Sequence, residues 1–333
     1  MINEEKVQRL VIEILKILEE KEHEGPIGAR AIAKELSKKG FEIGERAVRY
    51  HLRIFDEKGL TKKIGPLEGR TLTEKGKQEI KYALVGKRVG FVIGKIEELI
   101  YRMSYNLESG KGTIVINVSL LNADELEKAL VIMKKVMDAG YAPSPLIKIA
   151  HEGENIAEIK IPKGKVGIAT VCSVTIDGIL AKAGIPVAPK FGGVLEIEKW
   201  MPKRFTDVIT YQGSSLDPLD VFASRKMTSY LSVIKMGSGR ILANLREIPM
   251  LAKDRAQNII DQAKKRGLNG VLKVGGPGES LYGLPVDVNR VGMVIVGGIN
   301  PITAAEESGI ATETKTIETV MDVAEMQPIQ KWV

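Results

Sequence analysis

Four side chains suited to gripping a phosphate backbone recur at short intervals in the stretch Gly44-Glu-Arg-Ala-Val-Arg-Tyr-His-Leu-Arg-Ile-Phe-Asp-Glu-Lys-Gly59. Read as a helix, it sets Val48, Leu52 and Phe55 on one apolar stripe. Arg46, Arg49, Tyr50 and Arg53 then fall on the other side, as neighbours along a helix face. The planar fork of a guanidinium matches phosphate oxygens and the edge of guanine. Gly59 supplies a left-handed stop. A packed face opposite three arginines and a phenol describes a DNA recognition helix.

A second kind of chemistry is available at two strand-to-helix turns, Cys172-Ser-Val-Thr175 and Gly297-Gly-Ile-Asn-Pro301. Both follow apolar strands and consist of small residues. Thr175 and Asn300 are the expected N-caps, and Pro301 suits the first helical position. The free N–H groups of a helix start attract anions. If two such starts face one another, a dicarboxylate matches the geometry; the competing reading is two ordinary turns whose small residues serve packing. The expected effector contacts are Cys172, Ser173, Val174, Thr175, Lys190, Gly297, Gly298 and Asn300. Lys190 and Arg240 are cations that could meet a carboxylate, although a single Lys or Arg is more often a solvated charge.

Cys172 superficially resembles a nucleophile at an elbow, where a helix start would lower its pKa. Such a thiol wants a base, and the only histidines are His23, His51 and His151, none near it in sequence. A small packed or ligand-lining cysteine is the better reading. Three scattered histidines and one cysteine also argue against a zinc site and exclude an intramolecular disulfide. The glycine-rich turns Pro189–Gly193, Tyr211–Ser215 and Gly275–Ser280 match neither a Walker A loop nor a dinucleotide fingerprint.

The elements that must position these residues follow from periodicity. Glu4–Glu20 is an amphipathic helix carrying Val7, Leu10, Val11, Ile14, Leu15 and Leu18, and Gly25-Pro26 breaks it. Ala29–Lys39 is a second helix stopped by Gly40, and Phe41–Gly44 is a tight turn. Leu60–Ile64 and Arg70–Thr73 read as strands around Gly65–Gly69. Three helices and a hairpin make a winged helix-turn-helix, whose third helix enters the major groove. Lys62, Lys63 and Arg70 would set the wing against the DNA backbone. A fourth helix runs from Thr73 to about Lys87, with a domain boundary near Lys87-Arg88.

Beyond the boundary, strands and helices alternate. Gly112–Ser119 is a strand and Ala123–Ala139 a helix ending at Gly140. Leu146–Ala150 and Ile156–Ile161 resemble a strand pair, Val166–Val171 a buried strand, and Ser173–Ala183 a helix stopped at Gly184. Val187–Glu198 and Asp207–Tyr211 are further β segments. The pattern then returns. Gly237 repeats Gly110 and Gly267 repeats Gly140, each 127 residues on, while Val291–Ile310 lies over Val166–Ile185 at an offset of 125. The expected fold class is α/β with mixed α+β character: a winged helix over 1–87, then an internally duplicated effector domain over 88–330 with halves near 88–212 and 213–330.

Charge is placed unevenly. Through Arg88 there are 20 Lys and Arg against 15 Asp and Glu, and the remainder is nearly neutral. A small basic module on a neutral body suits nucleic-acid binding, with a solvated charged surface as the plainer reading. No apolar run is long enough to span a bilayer and the N-terminus is not a signal peptide, so a cytoplasmic home is expected.

The arrangement resembles the euryarchaeal nitrogen-regulation repressor family, NrpR. The resemblance rests on Cys172-Ser-Val-Thr-Ile-Asp-Gly178, Pro189-Lys-Phe-Gly-Gly-Val-Leu-Glu196, Tyr211-Gln-Gly-Ser-Ser-Leu-Asp-Pro218 and Gly297-Gly-Ile-Asn-Pro301. It implies a homo-oligomeric repressor of nitrogen-assimilation genes, expected as a homodimer, with 2-oxoglutarate as the inducer that weakens DNA binding. It also admits a second NrpR-type protein as partner. No cofactor is expected beyond that effector. The rival readings are a metabolic enzyme that uses Cys172 and carries an appended DNA-binding module, and an adaptor that binds other transcription proteins.

Overall fold

The computed structural model describes residues 4–22, 25–65, 69–83 and 90–333. It forms two compact units, 1–89 and 90–333. The expected boundary at Lys87-Arg88, the tip of the wing turn at 66–68, and His23 lie outside the described residues.

In the first unit, helices α1 (Glu4–Glu20), α2 (Ala29–Lys38) and α3 (Glu45–Glu57) precede strands β1 (Thr61–Gly65) and β2 (Gly69–Leu72) and helix α4 (Glu74–Ala83). The core is the set of stripes that periodicity requires: Ile14, Leu15 and Leu18 from α1, Ile32 and Leu36 from α2, and Val48, Leu52 and Phe55 from α3. Helix α3 ends as its sequence demands. Gly59, at φ 70°, donates its N–H to the Asp56 carbonyl and Leu60 donates to Phe55, so the last carbonyls are satisfied. Strands β1 and β2 pair antiparallel, and Ile27 adds a bridge to Arg70 on the far side of β2. Gly69 permits that bridge. Its φ is 94°, and a Cβ there would lie 2.4 Å from the Ile27 carbonyl carbon.

The second unit opens with a helix not foreseen in the sequence, α5 (Phe91–Arg102), which buries Val92, Ile96 and Leu99. Then come β3 (Thr113–Asn122), α6 (Leu126–Asp138), β4 (Leu146–Ala150), β5 (Asn155–Ile156), β6 (Ile159–Lys160), β7 (Lys165–Val171), α7 (Val174–Lys182), β8 (Ala188–Glu198) and β9 (Met201–Thr210). Two short helices, α8 (Pro218–Ser224) and α9 (Tyr230–Met236), lead to β10 (Gly239–Pro249), α10 (Lys253–Lys265), β11 (Val271–Pro277), β12 (Arg290–Val296), α11 (Asn300–Glu307), β13 (Thr312–Asp322) and β14 (Gln327–Pro328).

The order β3-α6-β4-β7-α7-β8 thus repeats as β10-α10-β11-β12-α11-β13. Two five-stranded sheets result, β13-β3-β7-β4-β14 and β11-β12-β10-β8-β9, with every pairing antiparallel. Each repeat donates its last strand to the other repeat's sheet: β8 pairs with β10, and β13 with β3. The shared cores follow from this exchange. One joins Ile116 and Val171 to Ile248 and Ile295; another joins Leu130 and Ile168 to Leu242 and Ile302.

One expected strand pair needs correction. Leu146–Ala150 does not pair with Ile156–Ile161; β4 lies between β7 and β14, while β5 and β6 pair with each other. The alternation was right but the partner was not, because β7 brings a longer apolar edge to β4.

Candidate functional site

On the first unit, Arg46, Arg49, Tyr50 and Arg53 are all exposed on α3, opposite its buried stripe. Tyr50 is 57% exposed, a large aromatic left on the surface. Arg49 pairs with Glu45, and Arg53 lies 3.6 Å from Glu57, each one turn away. Such surface pairs are weak and yield readily to a phosphate. The Arg53 guanidinium lies 6.0 Å from the Tyr50 ring centre, which aligns the two side chains. Lys62 and Lys63 stand exposed on β1. Arg70 is placed differently: its Nε donates to Asp56 at 2.8 Å, and Thr61 Oγ1 donates to the same carboxylate at 2.6 Å. Arg70, directly across the hairpin from Lys63, thus ties the wing to the end of α3.

In the second unit, the starts of α7 and α11 meet. Thr170 Oγ1 donates to the Gly298 carbonyl at 3.2 Å, and a Cβ on Gly298 would lie 2.9 Å from Cys172 Cα. Around this contact is a small polar chamber of about 10 Å³, lined by Cys172, Ser173 and Val174 on one side and Gly298 and Ile299 on the other. That is room for about one water. Asn117 from β3, Tyr211, Asp217 and Leu219, Arg246 from β10, and Thr316 and Ile317 from β13 complete the wall.

Arg246 and Asp177 dominate the chemistry. Both side chains are 1% exposed, and Arg246 Nε donates to Asp177 Oδ2 at 3.0 Å. Arg246 Nη1 and Asp177 Oδ1 have no hydrogen-bond partner among the described residues. The guanidinium also stacks over Tyr211, 4.8 Å from the ring centre. Burial pushes the Asp177 carboxyl above its ordinary range, outweighing the pull of Arg246. Burial alone would lower the Arg246 pKa, but Asp177 and Tyr211 more than offset it and the guanidinium stays charged. The Tyr211 hydroxyl donates to Asn244 Oδ1 at 2.7 Å and lies 3.3 Å from Asp217 Oδ1. Asn244 Nδ2 in turn lies 3.4 Å from Ser173 Oγ.

Of the expected effector contacts, Cys172, Ser173, Val174 and Gly298 come together at this chamber. Gly297 lies just behind, where a Cβ would meet Asn300 Oδ1 at 2.5 Å. Thr175 and Asn300 are not N-caps. Helix α7 starts at Val174, so Thr175 sits inside it, and its hydroxyl both donates to the Val115 carbonyl and accepts from the Val115 N–H. Asn300 is the first residue of α11 and donates to the carbonyls of Tyr141 and Leu242, locking the turn to the sheet. Pro301 is accordingly the second helical residue. Lys190 does not line the chamber; it pairs with Asp287 at 2.9 Å and with buried Glu247 at 3.3 Å. Arg240 is exposed at the start of β10.

Cys172 is buried, and burial pushes its thiol up to about 12 despite the Val174 N–H directed at it. A nucleophile needs the opposite shift. His151 is exposed on a turn and His51 is half-buried in the first unit, so among the described residues no histidine serves this thiol. No group of three metal-ligating side chains is placed to hold a metal ion among the described residues.

The residues that sequence reasoning missed are Arg246, Asn117, Asn244 and Thr316. Two signals were available. Asn117 and Asn244 are polar interruptions in the apolar strands Ile114–Val118 and Ile241–Leu245, and they stand 127 residues apart, the offset of the repeat itself. Arg246 continues the polar face of Asn244 two residues on.

Comparisons with known proteins agree with this architecture. The family model for NrpR regulatory domains NRD1 and 2 matches residues 89–328, and that for the ribonuclease R winged-helix domain matches residues 12–80. A global nitrogen regulator NrpRI of Methanosarcina mazei is 48% identical over 97% of this chain and 98% of its own. A global nitrogen regulator NrpR of Methanococcus maripaludis is 34% identical over 95% of this chain, which spans 54% of that longer protein. The crystal structure of a nitrogen repressor-like protein from Methanococcus jannaschii, 29% identical, superposes with a TM-score of 0.60 over 71% of this chain and 97% of that one. No helix among the described residues is long and apolar enough to cross a membrane. With its regulatory region and its winged helix both accounted for, the chain belongs to the NrpR family of global nitrogen regulators.

Proposed function

We propose that this regulator is a DNA-binding repressor of nitrogen-assimilation genes, displaced from its operator when 2-oxoglutarate binds the second unit. The observation that carries the DNA half is the α3 face itself: three arginines and a tyrosine exposed opposite a stripe of fully packed residues. In a winged helix this face reads the major groove, while Lys62 and Lys63 hold the backbone. Two copies on two half-sites would align two such helices, so a homodimer is the working assembly. Its place is the cytoplasm, and a second NrpR-type protein is a further candidate partner.

For the effector half, the support is Arg246. Its Nη1 has no hydrogen-bond partner among the described residues, and Arg246 lines a chamber between two helix starts, where a carboxylate would meet the guanidinium at the positive ends of two helices. The chamber sets one guanidinium, already paired with Asp177 outside the lining, near the Asp217 carboxylate in its wall, and it holds only about 10 Å³. A dicarboxylate therefore has to open it, and that opening is the change transmitted to the DNA-binding state. Binding is reciprocal: an inducer that weakens operator affinity is itself bound less tightly by the DNA-bound protein. Calorimetric titration of 2-oxoglutarate into the full chain tests this half. Saturable heat with a thermal upshift is expected; no heat and no shift at millimolar ligand would remove 2-oxoglutarate from the reading.

A further inference from the structure

The chamber is closed from the outside by an irregular piece of strand. Between Lys315, opposite Val118, and Thr319, opposite Ile116, β13 places three residues against the single residue Asn117 of β3. The middle one, Ile317, takes a φ of 48°, a conformation that a β-branched side chain rarely adopts. Two side chains hold the bulge in place. Asn117 Oδ1 accepts the Ile317 N–H at 3.0 Å from within, and Asp220 Oδ2 accepts the Thr316 hydroxyl at 2.6 Å from the other side.

That other side is a cleft of about 860 Å³, lined by Asp220, Ile299, Thr312 and Thr314. Thr316, Ile317 and Ile299 line the chamber. Two cavities of very different size thus share one thin wall, and the Asp220–Thr316 hydrogen bond spans it. Cys172–Val174 and Gly298–Ile299 are buried and packed on each other, whereas in the bulge Ile317 is buried but Thr316 is half-buried. Strand β13 is the edge of its sheet and has one neighbour only. The other repeat provides an internal comparison. At the matching point of β8, Gly192 lies directly opposite Asn244, and the irregularity there is smaller and one step further on, a single extra residue, Lys190, between the partners of Leu245 and Arg246. Bulges cluster at sheet edges and beside functional sites, where they re-aim side chains.

We infer that the Thr316–Ile317 bulge is the gate between the cleft and the Arg246 chamber, latched by Asp220 and Asn117. The inference rests on the chamber being the effector site, but its test does not need the effector. Cys172 is the only cysteine of the chain and lines the chamber across from the bulge, so its alkylation by iodoacetamide in native buffer reports opening. Thr316→Val and Asp220→Asn should each speed alkylation of the full chain by roughly tenfold or more, the factor expected on losing a hydrogen bond to a charged group. Alkylation of both variants should stay nearly independent of urea well below the unfolding midpoint, as local opening requires, and Thr316→Ser, which keeps the hydroxyl, should react at the wild-type rate. Unchanged rates in both variants, or rates that climb with urea as steeply as global unfolding does, overturn the gate. Because 2-oxoglutarate is left out, its failure to bind would leave this result standing.

Discussion

Arg246 lies on β10 of one repeat and Asp177 on α7 of the other, yet Arg246 Nε sits 3.0 Å from Asp177 Oδ2 with both side chains 1% exposed. A buried ion pair contributes little net stability when intact, because desolvation consumes the Coulomb gain. Breaking it is another matter. Asp177→Asn leaves the guanidinium uncompensated and should cost about 3–5 kcal/mol in urea unfolding. Replacing both partners with apolar residues of similar size, as in Asp177→Leu with Arg246→Met, should recover most of that loss while removing the carboxylate anchor. A double variant as unstable as the single one would mean that the pair itself holds the repeats together.

The sequence reading reached different depths in the two units, for physical reasons. The winged helix was legible almost to the residue, because Val48, Leu52 and Phe55 alternate with polar positions at a helical period and Gly59 can only be a stop. The glycines behind the expected repeat, Gly110, Gly140, Gly237 and Gly267, all sit at positive φ, where other residues are strained. The sheet that each of β8 and β13 joins was not legible, because their pattern is the same whichever sheet receives them. The turns at Cys172 and Gly297 were located correctly, but the charge that faces them comes from Arg246, on a strand far away in sequence. Lys190, nearer in sequence to Cys172, is already committed to Glu247 and Asp287.

The recognition face can be dissected from the wing. Arg49→Ala combined with Arg53→Ala should abolish a specific operator shift while changing stability by no more than about 0.5 kcal/mol, since both side chains are exposed. Retained specific binding would sink the assignment of α3. Lys62→Ala or Lys63→Ala should instead weaken binding to all sequences alike and flatten the salt dependence by about one unit per phosphate contact. Arg70→Ala is expected to act through stability, by releasing Asp56.

Asp220 should leave a mark on the pH dependence of stability. Burial, aided by the neighbouring Asp217 carboxylate, raises its carboxyl from 3.8 to about 7. Between those values the folded state holds a proton that the unfolded chain has released, so stability falls as pH rises through the window. Urea midpoints at about pH 5 and about pH 7.5 should therefore decline in the wild type and differ less in Asp220→Asn, whose side chain does not titrate. An equal decline in both would place the proton elsewhere.

The most direct measurement is operator affinity by fluorescence anisotropy, using the full chain on a nitrogen-assimilation promoter fragment at fixed salt, with and without millimolar 2-oxoglutarate. The expected result is tight, sequence-specific binding that weakens severalfold when the effector is added. Specific binding that 2-oxoglutarate leaves unchanged would contradict the inducer, and an absence of specific binding in either condition would contradict the repressor itself.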